Sequence, residues 1–437
     1  MIRFLSVIMA VLFCALPLRA EIAIQEVTSP GGIKAWLVEE HSIPFTALEI
    51  SFKGGPSLEA PEKRGATNLM MALLEEGTGD LDARAFAAAR EALAASMSFD
   101  AGDDSVSISA RFLSENRDEA MALLRGAIVA PNFDQTAIDR VREQVLSNLR
   151  SDDQDPGKLA AARFDALAFA GHPYATSRDG TQETVSALVR DDLIAVKNGS
   201  IALDRVYVGA VGDITAEELG MLLDTLLGDL PAVGAPMPDH VDFGANGGVE
   251  IVEFNTPQSV AVFGHAGIKR DDDDFFPAFV MNRILGSGGF ASRLTEEVRE
   301  KRGLTYGIGT YLVPKEHAEF VFGQFASSND RMAEAIDVVR SEWARMAQAG
   351  VTDQELEDAV TYLTGAYALR FDGNAPIARI MVGMQMIGLP PDYVVNRNDY
   401  IEAVTLDDIN RVAGELLDPD ALHFVVVGQP EGLTTTE

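Results

Sequence analysis

The apolar positions change their period along the chain. "SMSFDAG" (96–102) and "SVSISARF" (105–112) alternate apolar and polar residues, as do "LTYGIGTYLV" (304–313) and "AEFVFGQF" (318–325). Alternation of this kind predicts strands with one buried face. Elsewhere the period lengthens to that of a helix. "FDQTAIDRVREQVLSNL" (133–149) and "VTDQELEDAVTYLTGAY" (351–367) each predict a long amphipathic helix. "RVYVGAVGD" (205–213) and "LHFVVVGQP" (422–430) predict two more strands. "GATNLMMALLEEGTG" (65–79) reads as a helix packed through Leu69, Met70, Leu73 and Leu74, with Gly77 ending the run. Its positions i, i+3 and i+4 on one face hold Asn68, Met71 and Ala72. Taken alone, these residues describe an ordinary core helix.

The order of these elements repeats. "FLSENRDEA" (112–120) matches "FASSNDRMA" (325–333) at an offset of 213, each after two alternating strands and before a long helix. A period this long means duplicated domains, since solenoid repeats are much shorter. "DLPAVGAPMPDHVDFGANGG" (229–248) is rich in Pro, Gly and Asp and has no period, so it reads as a linker. The expectation is an α+β protein of two homologous domains, residues 21–228 and 249–437. Each is an antiparallel-rich sheet covered by helices on one face.

The first twenty residues read differently. Arg3 precedes an apolar run from Phe4 to Leu16, and Ala20 stands before Glu21. This is the pattern of a secretory signal, and its apolar run is too short to span a bilayer comfortably. Phe13 before Cys14 is too bulky for a lipoprotein cleavage site. Cleavage after Ala20 removes Arg3, Arg19 and the single cysteine, taking the net charge from −32 to −34. The expected mature protein is periplasmic, without disulfides or thiol chemistry, and not membrane-bound. Its acidity repels nucleic-acid phosphates and anionic lipid, so neither is an expected partner.

Most candidate chemistry is excluded by residue type. The six histidines stand at 41, 172, 240, 265, 317 and 423, so no two lie within one helical turn. No Gly-x-Ser-x-Gly is present, which argues against a homodimer with some other hydrolytic activity. "GSGG" (286–289) is not followed by Lys-Ser/Thr and lacks a dinucleotide fingerprint; a loop that lets a backbone approach closely is the better reading. "DDDD" (271–274) lacks the spacing of a calcium loop and is expected to cap the helix that follows. His172, between Gly171 and Pro173, is expected to shape its loop.

Two stretches carry a resemblance: "LGSGGFASRLTEEVREKRGLTYGIG" (285–309) and "DDQDPGKLAAARFDALAFAGHPYATSRDG" (152–180). Both resemble the pitrilysin/insulinase family of zinc peptidases, in the branch of the mitochondrial processing peptidases. The likeness covers nearly the whole mature chain. In that family a first-domain helix carries His-x-x-Glu-His. Two histidines one turn apart hold zinc, and the glutamate activates the zinc-bound water. A later helix supplies a third, glutamate ligand. The resemblance lays these positions on Asn68, Met71, Ala72 and Asn148, with Ser147 beside the last. None can do the work: alanine has no donor atom, a thioether is no base, and neutral amides are weak zinc ligands. Glu75 and Glu76 lie on or near the same face, but carboxylates without histidine make a poor zinc site. No metal is therefore expected in this chain.

The family's second domain sends an arginine and a tyrosine, seven residues apart, to the active site; here they are Arg299 and Tyr306. Arg299 is expected in the last turn of a helix ended by Gly303, and Tyr306 at the start of the next strand. A phenolic O–H and a guanidinium aimed at a developing oxyanion lower a barrier to peptide hydrolysis. By themselves the two residues equally suit a countered helix dipole and a strand core. Gly288, Gly289 and Phe290 correspond to the family's glycine-rich, substrate-contacting loop. The resemblance thus implies a zinc-less subunit that pairs with a homologous zinc-bearing peptidase subunit and supplies Arg299 and Tyr306 in trans for cleavage of unfolded peptides. A non-enzymatic peptide-binding or scaffold protein of the same fold is the alternative.

Overall fold

The computed structural model describes residues 23–436, so the signal-peptide reading lies outside the described residues. Six strands of the first half are β1 (Gln25–Thr28), β2 (Lys34–Glu39), β3 (Phe45–Lys53), β4 (Ser96–Ala101), β5 (Ser105–Leu113) and β6 (Val206–Gly212). They form one sheet in the order β1-β2-β6-β3-β5-β4. In the second half β7 (Val249–Glu253), β8 (Gln258–Ala266), β9 (Ile308–Pro314), β10 (Glu319–Ser328) and β11 (His423–Gly428) form the order β9-β10-β8-β11-β7. Read from its other end, the second sheet repeats the first strand for strand, without β1. Each sheet has one parallel pair, β2 with β6 and β7 with β11, among antiparallel neighbours. The duplication seen in the sequence is therefore a duplication of topology.

Strand alternation sorts the side chains. Leu48, Ile50 and Phe52 of β3 and Val106, Ile108 and Phe112 of β5 are buried in the first core, under their own half's helices. Phe263, Phe424 and Trp343 anchor the second core. Burying each such ring removes enough apolar surface to contribute roughly 1.5–3 kcal/mol.

The opposite face of each sheet is covered by a helix from the other half. Helix α1 (Ala66–Ala72) and helix α2 (Gln135–Asp152) belong to the first half's own layer; helix α3 (Pro156–Ala168) crosses to the second sheet. There Phe164 packs with Val262, Val425 and Val427 and lies 5.8 Å, ring to ring, from Phe322. Reciprocally, helix α4 (Asn374–Met386) of the second half lays Ala378, Met381 and Met384 on Trp36 and Val211 of the first sheet. The approach is close enough that a Cβ on Gly209 of β6 would come within 2.6 Å of the Ala378 carbonyl oxygen. Neither sheet is complete without the other half. Residues 229–248 form no helix or strand, yet they are packed: the Phe243 ring lies 5.7 Å from that of Phe164, and the Val241 amide donates to the His317 carbonyl at 2.8 Å.

Three local expectations are corrected. Helix α1 ends at Ala72 and gives way to turns before Gly77, the Leu73 and Leu74 amides closing it with bonds back to the carbonyls of Met70 and Met71. β9 starts at Ile308, which leaves Tyr306 in the bend before the strand. Asp274 stands at the N-cap of the Phe275–Asn282 helix, but its carboxylate pairs with Arg411 at 2.5 Å instead of accepting from the helix amides.

Candidate functional site

Helix α1 is set in place from a distance. Gly65 adopts φ 92°, which turns the chain into the helix. The buried Glu59 carboxylate then accepts from the amides of Gly65 at 3.0 Å and Thr67 at 2.5 Å. Arg64, also buried, contacts Glu59 at 3.3 Å and donates to the carbonyls of Pro56 and of Thr176, the latter at 2.6 Å. Burial pushes the Glu59 carboxyl up; the amide donors and Arg64 pull the other way. Neither residue was singled out in the sequence, since an acid six residues before the N-cap of the helix it holds follows no local capping pattern.

The four zinc-equivalent positions do not converge on a donor set. Asn68 is half-buried, Ala72 is exposed, and Met71, only 1% exposed, belongs to the hydrophobic core. Asn148 is exposed on α2 and accepts from Gln144 at 3.1 Å. The neighbouring carboxylates are engaged elsewhere: Glu75 pairs with Arg90 at 2.5 Å and Glu76 with Arg140. Among the described residues no three His, Cys, Asp or Glu side chains are grouped to hold a metal ion. One amide, one thioether in the core, one methyl and a distant amide do not fit zinc.

The Gly-His-Pro-Tyr loop bolts the halves together. The His172 Nδ1 accepts from the Tyr174 amide at 3.2 Å, shaping the turn as expected. Tyr174 donates its phenol to Asp104 at 2.5 Å and accepts from the His317 amide at 3.3 Å. Lys315 of the second half lies 4.4 Å from the Tyr174 ring centre and pairs with Asp103 at 2.8 Å. Beside them a cavity of about 650 Å³ opens among first-half residues, with Asp165 of α3 on its wall and Lys315 reaching it from the second half. Burial raises the Asp165 carboxyl to about 7, Lys315 offsets part of this, and Asp103 adds to it.

In the second half the glycine-rich loop is braced from beneath. Arg283 donates to the Ser287 carbonyl at 3.0 Å and lies 3.8 Å from the centre of the Tyr362 ring. Arg293 holds Glu355 through contacts of 2.6 and 2.7 Å and donates to the Gly350 carbonyl. Burial pushes the Glu355 carboxyl up, but Arg293 and the Thr352 cap outweigh it and leave it at about 2. These bracing residues had no motif to reveal them. Gly288 is fixed by its own surroundings, since a Cβ there would meet the Arg283 carbonyl at 2.6 Å. Gly289, at φ 56°, faces open space.

Arg299, on the helical turn Thr295–Glu300, lies 4.6 Å from the centre of the Phe290 ring and 3.6 Å from the Glu300 carboxylate. Gly303, at φ 60°, closes that turn, its amide donating to the Arg299 carbonyl at 2.8 Å. Phe290 and Tyr306 are 77% and 89% exposed. The structure thus brings Arg299 and Phe290 together. Tyr306 stands free on the surface and makes no side-chain hydrogen bond among the described residues. An exposed phenol and a partly exposed guanidinium can donate to an oxyanion that another molecule presents.

Comparison with known proteins places these features. Residues 35–182 match the family described as insulinase (peptidase family M16), and residues 187–363 match the peptidase M16 inactive domain. A non-peptidase homolog, YmxG, from Helicobacter pylori is 28% identical over 390 residues, which cover 89% of this chain and 90% of that protein. An uncharacterized zinc protease from Streptomyces coelicolor is 25% identical over 406 residues, covering 90% of this chain and 87% of its own. The crystal structure of a peptidase M16 inactive domain from Pseudomonas fluorescens superposes with a TM-score of 0.87 at 27% identity, covering 95% of this chain and all of the other.

Proposed function

The chain belongs to the insulinase family of peptidases, family M16, as a member without the family's zinc motif, and from that premise we propose that it is the zinc-less subunit of a heterodimeric periplasmic metalloendopeptidase. A homologous subunit supplies zinc. This chain supplies Arg299, Tyr306 and part of a chamber wall, and the substrates are unfolded peptides that add as a strand to a sheet edge. Gly288, Gly289 and Phe290 contact the substrate.

One asymmetry carries the reading. In the first half the position of the family's catalytic glutamate is filled by a core methionine, Met71, so that half lacks the family's zinc chemistry. In the second half Tyr306 is 89% exposed and Arg299 partly exposed. An exposed phenol beside a partly exposed guanidinium is free to donate to a group that another molecule presents.

The test is a complex reconstituted with a homologous zinc-bearing subunit and assayed on a quenched fluorescent peptide. Tyr306→Phe removes one donor aimed at developing charge and is expected to lower turnover about 100- to 1000-fold, roughly 3–4 kcal/mol, with a much smaller change in KM. Size-exclusion chromatography confirms assembly. Unchanged turnover moves the reading to a non-enzymatic peptide-binding or scaffold protein. That alternative draws on the stacking of Arg299 against Phe290, which already gives the guanidinium a structural occupation.

A further inference from the structure

Alternation along the first sheet places a set of polar side chains on its α4 side. β3 turns Leu48, Ile50 and Phe52 into its own core, so Glu49 and Ser51 lie on the opposite face. Pairing with β5 sets Glu49 beside Ser109 and Ser51 beside Ser107. β4 adds Ser98 beside Ser109 and Ser96 beside Arg111. Between this face and α4 lies a cavity of about 280 Å³. Ala375 and Ala378 of α4 line it with little more than methyl groups, which leaves the space open, and Arg379 stands beside them. The cavity therefore has walls from both halves of the chain.

The polar groups around it do not satisfy one another. Glu49 is only 5% exposed. Ser109 donates to one of its carboxylate oxygens at 2.5 Å, and the other accepts no hydrogen bond among the described residues. Burial pushes the Glu49 carboxyl up; Ser109 and Arg379 pull it part of the way back, and Asp100 adds to the rise. Arg111 and Arg379 are exposed, and neither makes a hydrogen bond or an ion pair among the described residues. Elsewhere arginines hold carboxylates, as Arg64, Arg293 and Arg411 do. With 67 acidic residues against 35 basic ones, two unpaired guanidiniums at one cavity stand out. Ser51 and Ser107 satisfy each other at 2.8 Å, whereas the hydroxyls of Ser96 and Ser98 have no partner among the described residues.

We propose that this cavity binds a free α-amino acid, its carboxylate held by Arg111 and Arg379 and its ammonium by Glu49. The argument is one of charge. Guanidinium forks match a carboxylate, and a buried carboxylate is costly until a cation or donor meets it. A plain anion would set its charge against Glu49, and a plain cation would set its own against two arginines. A small molecule carrying both charges answers both needs, and Ser96 and Ser98 offer hydroxyls to its remaining polar atoms. The size agrees, since sites for larger ligands run from about 300 to 1,000 Å³. The occupant would touch the first sheet and α4 at once and so tie the two halves together. This inference uses neither Arg299 nor Tyr306 and stands apart from the proposed function.

The experiment is isothermal titration calorimetry of the purified chain with glycine, L-serine and L-glutamine at neutral pH. Saturable binding of at least one is expected. The N-acetyl form of that amino acid lacks the cation and its carboxamide lacks the anion, and each should bind at least about tenfold more weakly. Arg111→Gln, Arg379→Gln and Glu49→Gln should each weaken binding at least about tenfold. Lys269→Gln, which removes an exposed cation elsewhere, should leave it unchanged. Arg111 and Arg379 hold nothing in the fold, so their variants should melt like the wild type. A second measurement needs no variant: the amino acid should slow amide hydrogen exchange in 96–101 and 374–380 of the wild-type chain and not in 308–313. Absence of binding by all three amino acids, wild-type affinity in the arginine variants, or protection confined to 308–313 overturns the inference. Equal affinity for the N-acetyl form also overturns it and assigns the cavity to a plain anion; equal affinity for the carboxamide overturns it in favour of a plain cation.

Discussion

Asp165→Asn isolates the electrostatic cost of burying one carboxyl on helix α3. Asp165 lies on the wall of the cavity beside the Gly-His-Pro-Tyr loop, its carboxyl raised to about 7 mainly by burial. An unfolded aspartate titrates near about 3.9. Between those values the folded chain binds a proton that the unfolded chain has released, so stability falls as pH rises through this window and levels off above pH 7. At about 1.4 kcal/mol per pH unit, the span sets a ceiling of about 4 kcal/mol. The carboxyl opens onto a cavity of about 650 Å³, and water there reduces the expectation to about 2 kcal/mol. Asparagine keeps the shape and has no charge to desolvate. The Asp165 carboxylate accepts no hydrogen bond among the described residues, and Lys315 keeps its 2.8 Å contact with Asp103. The variant should therefore match wild type near pH 4 and exceed it by about 2 kcal/mol at pH 8. Urea unfolding at both pH values measures this, and taking the difference between the two proteins cancels other titrating groups such as Glu49 and Glu59. Parallel pH profiles for wild type and variant would refute the reasoning.

Three further outcomes are expected. Arg64→Ala leaves the buried Glu59 without its cation and should cost about 3 kcal/mol by chemical denaturation; a loss below about 0.5 kcal/mol would mean the pair does not hold α1 in place. The purified chain should carry no stoichiometric zinc, and a chelator should leave its melting temperature unchanged; one zinc per chain by elemental analysis would undo the assignment of Asn68, Met71, Ala72 and Asn148. The exported protein should begin at Glu21 or within a few residues of it, and N-terminal sequencing that finds Met1 on the soluble protein would reject periplasmic export.

The sequence by itself determined what depends on residue type and local period. Alternation in 96–102, 105–112 and 318–325 marked strands because a half-buried strand needs its apolar residues on one side. The repeat of that order at an offset of 213 implied two like halves, and the strand orders bear it out. The loss of zinc chemistry was equally legible, since no fold can make Ala72 a ligand. What the tertiary structure alone decided involves partners far apart in the chain. Met71 lies in the core, although its spacing placed it on the face of Asn68, because α1 is short and flanked by its own half's layer. Asp103 meets Lys315 across 212 positions, and the Asp165 carboxyl is raised by burial, partly offset by Lys315 from the other half. The exchange of α3 and α4 between sheets escapes periodicity, because an amphipathic stripe states that a face is buried and not which surface buries it. That exchange covers the inner strands of each sheet and leaves β4 and β9 at the margins.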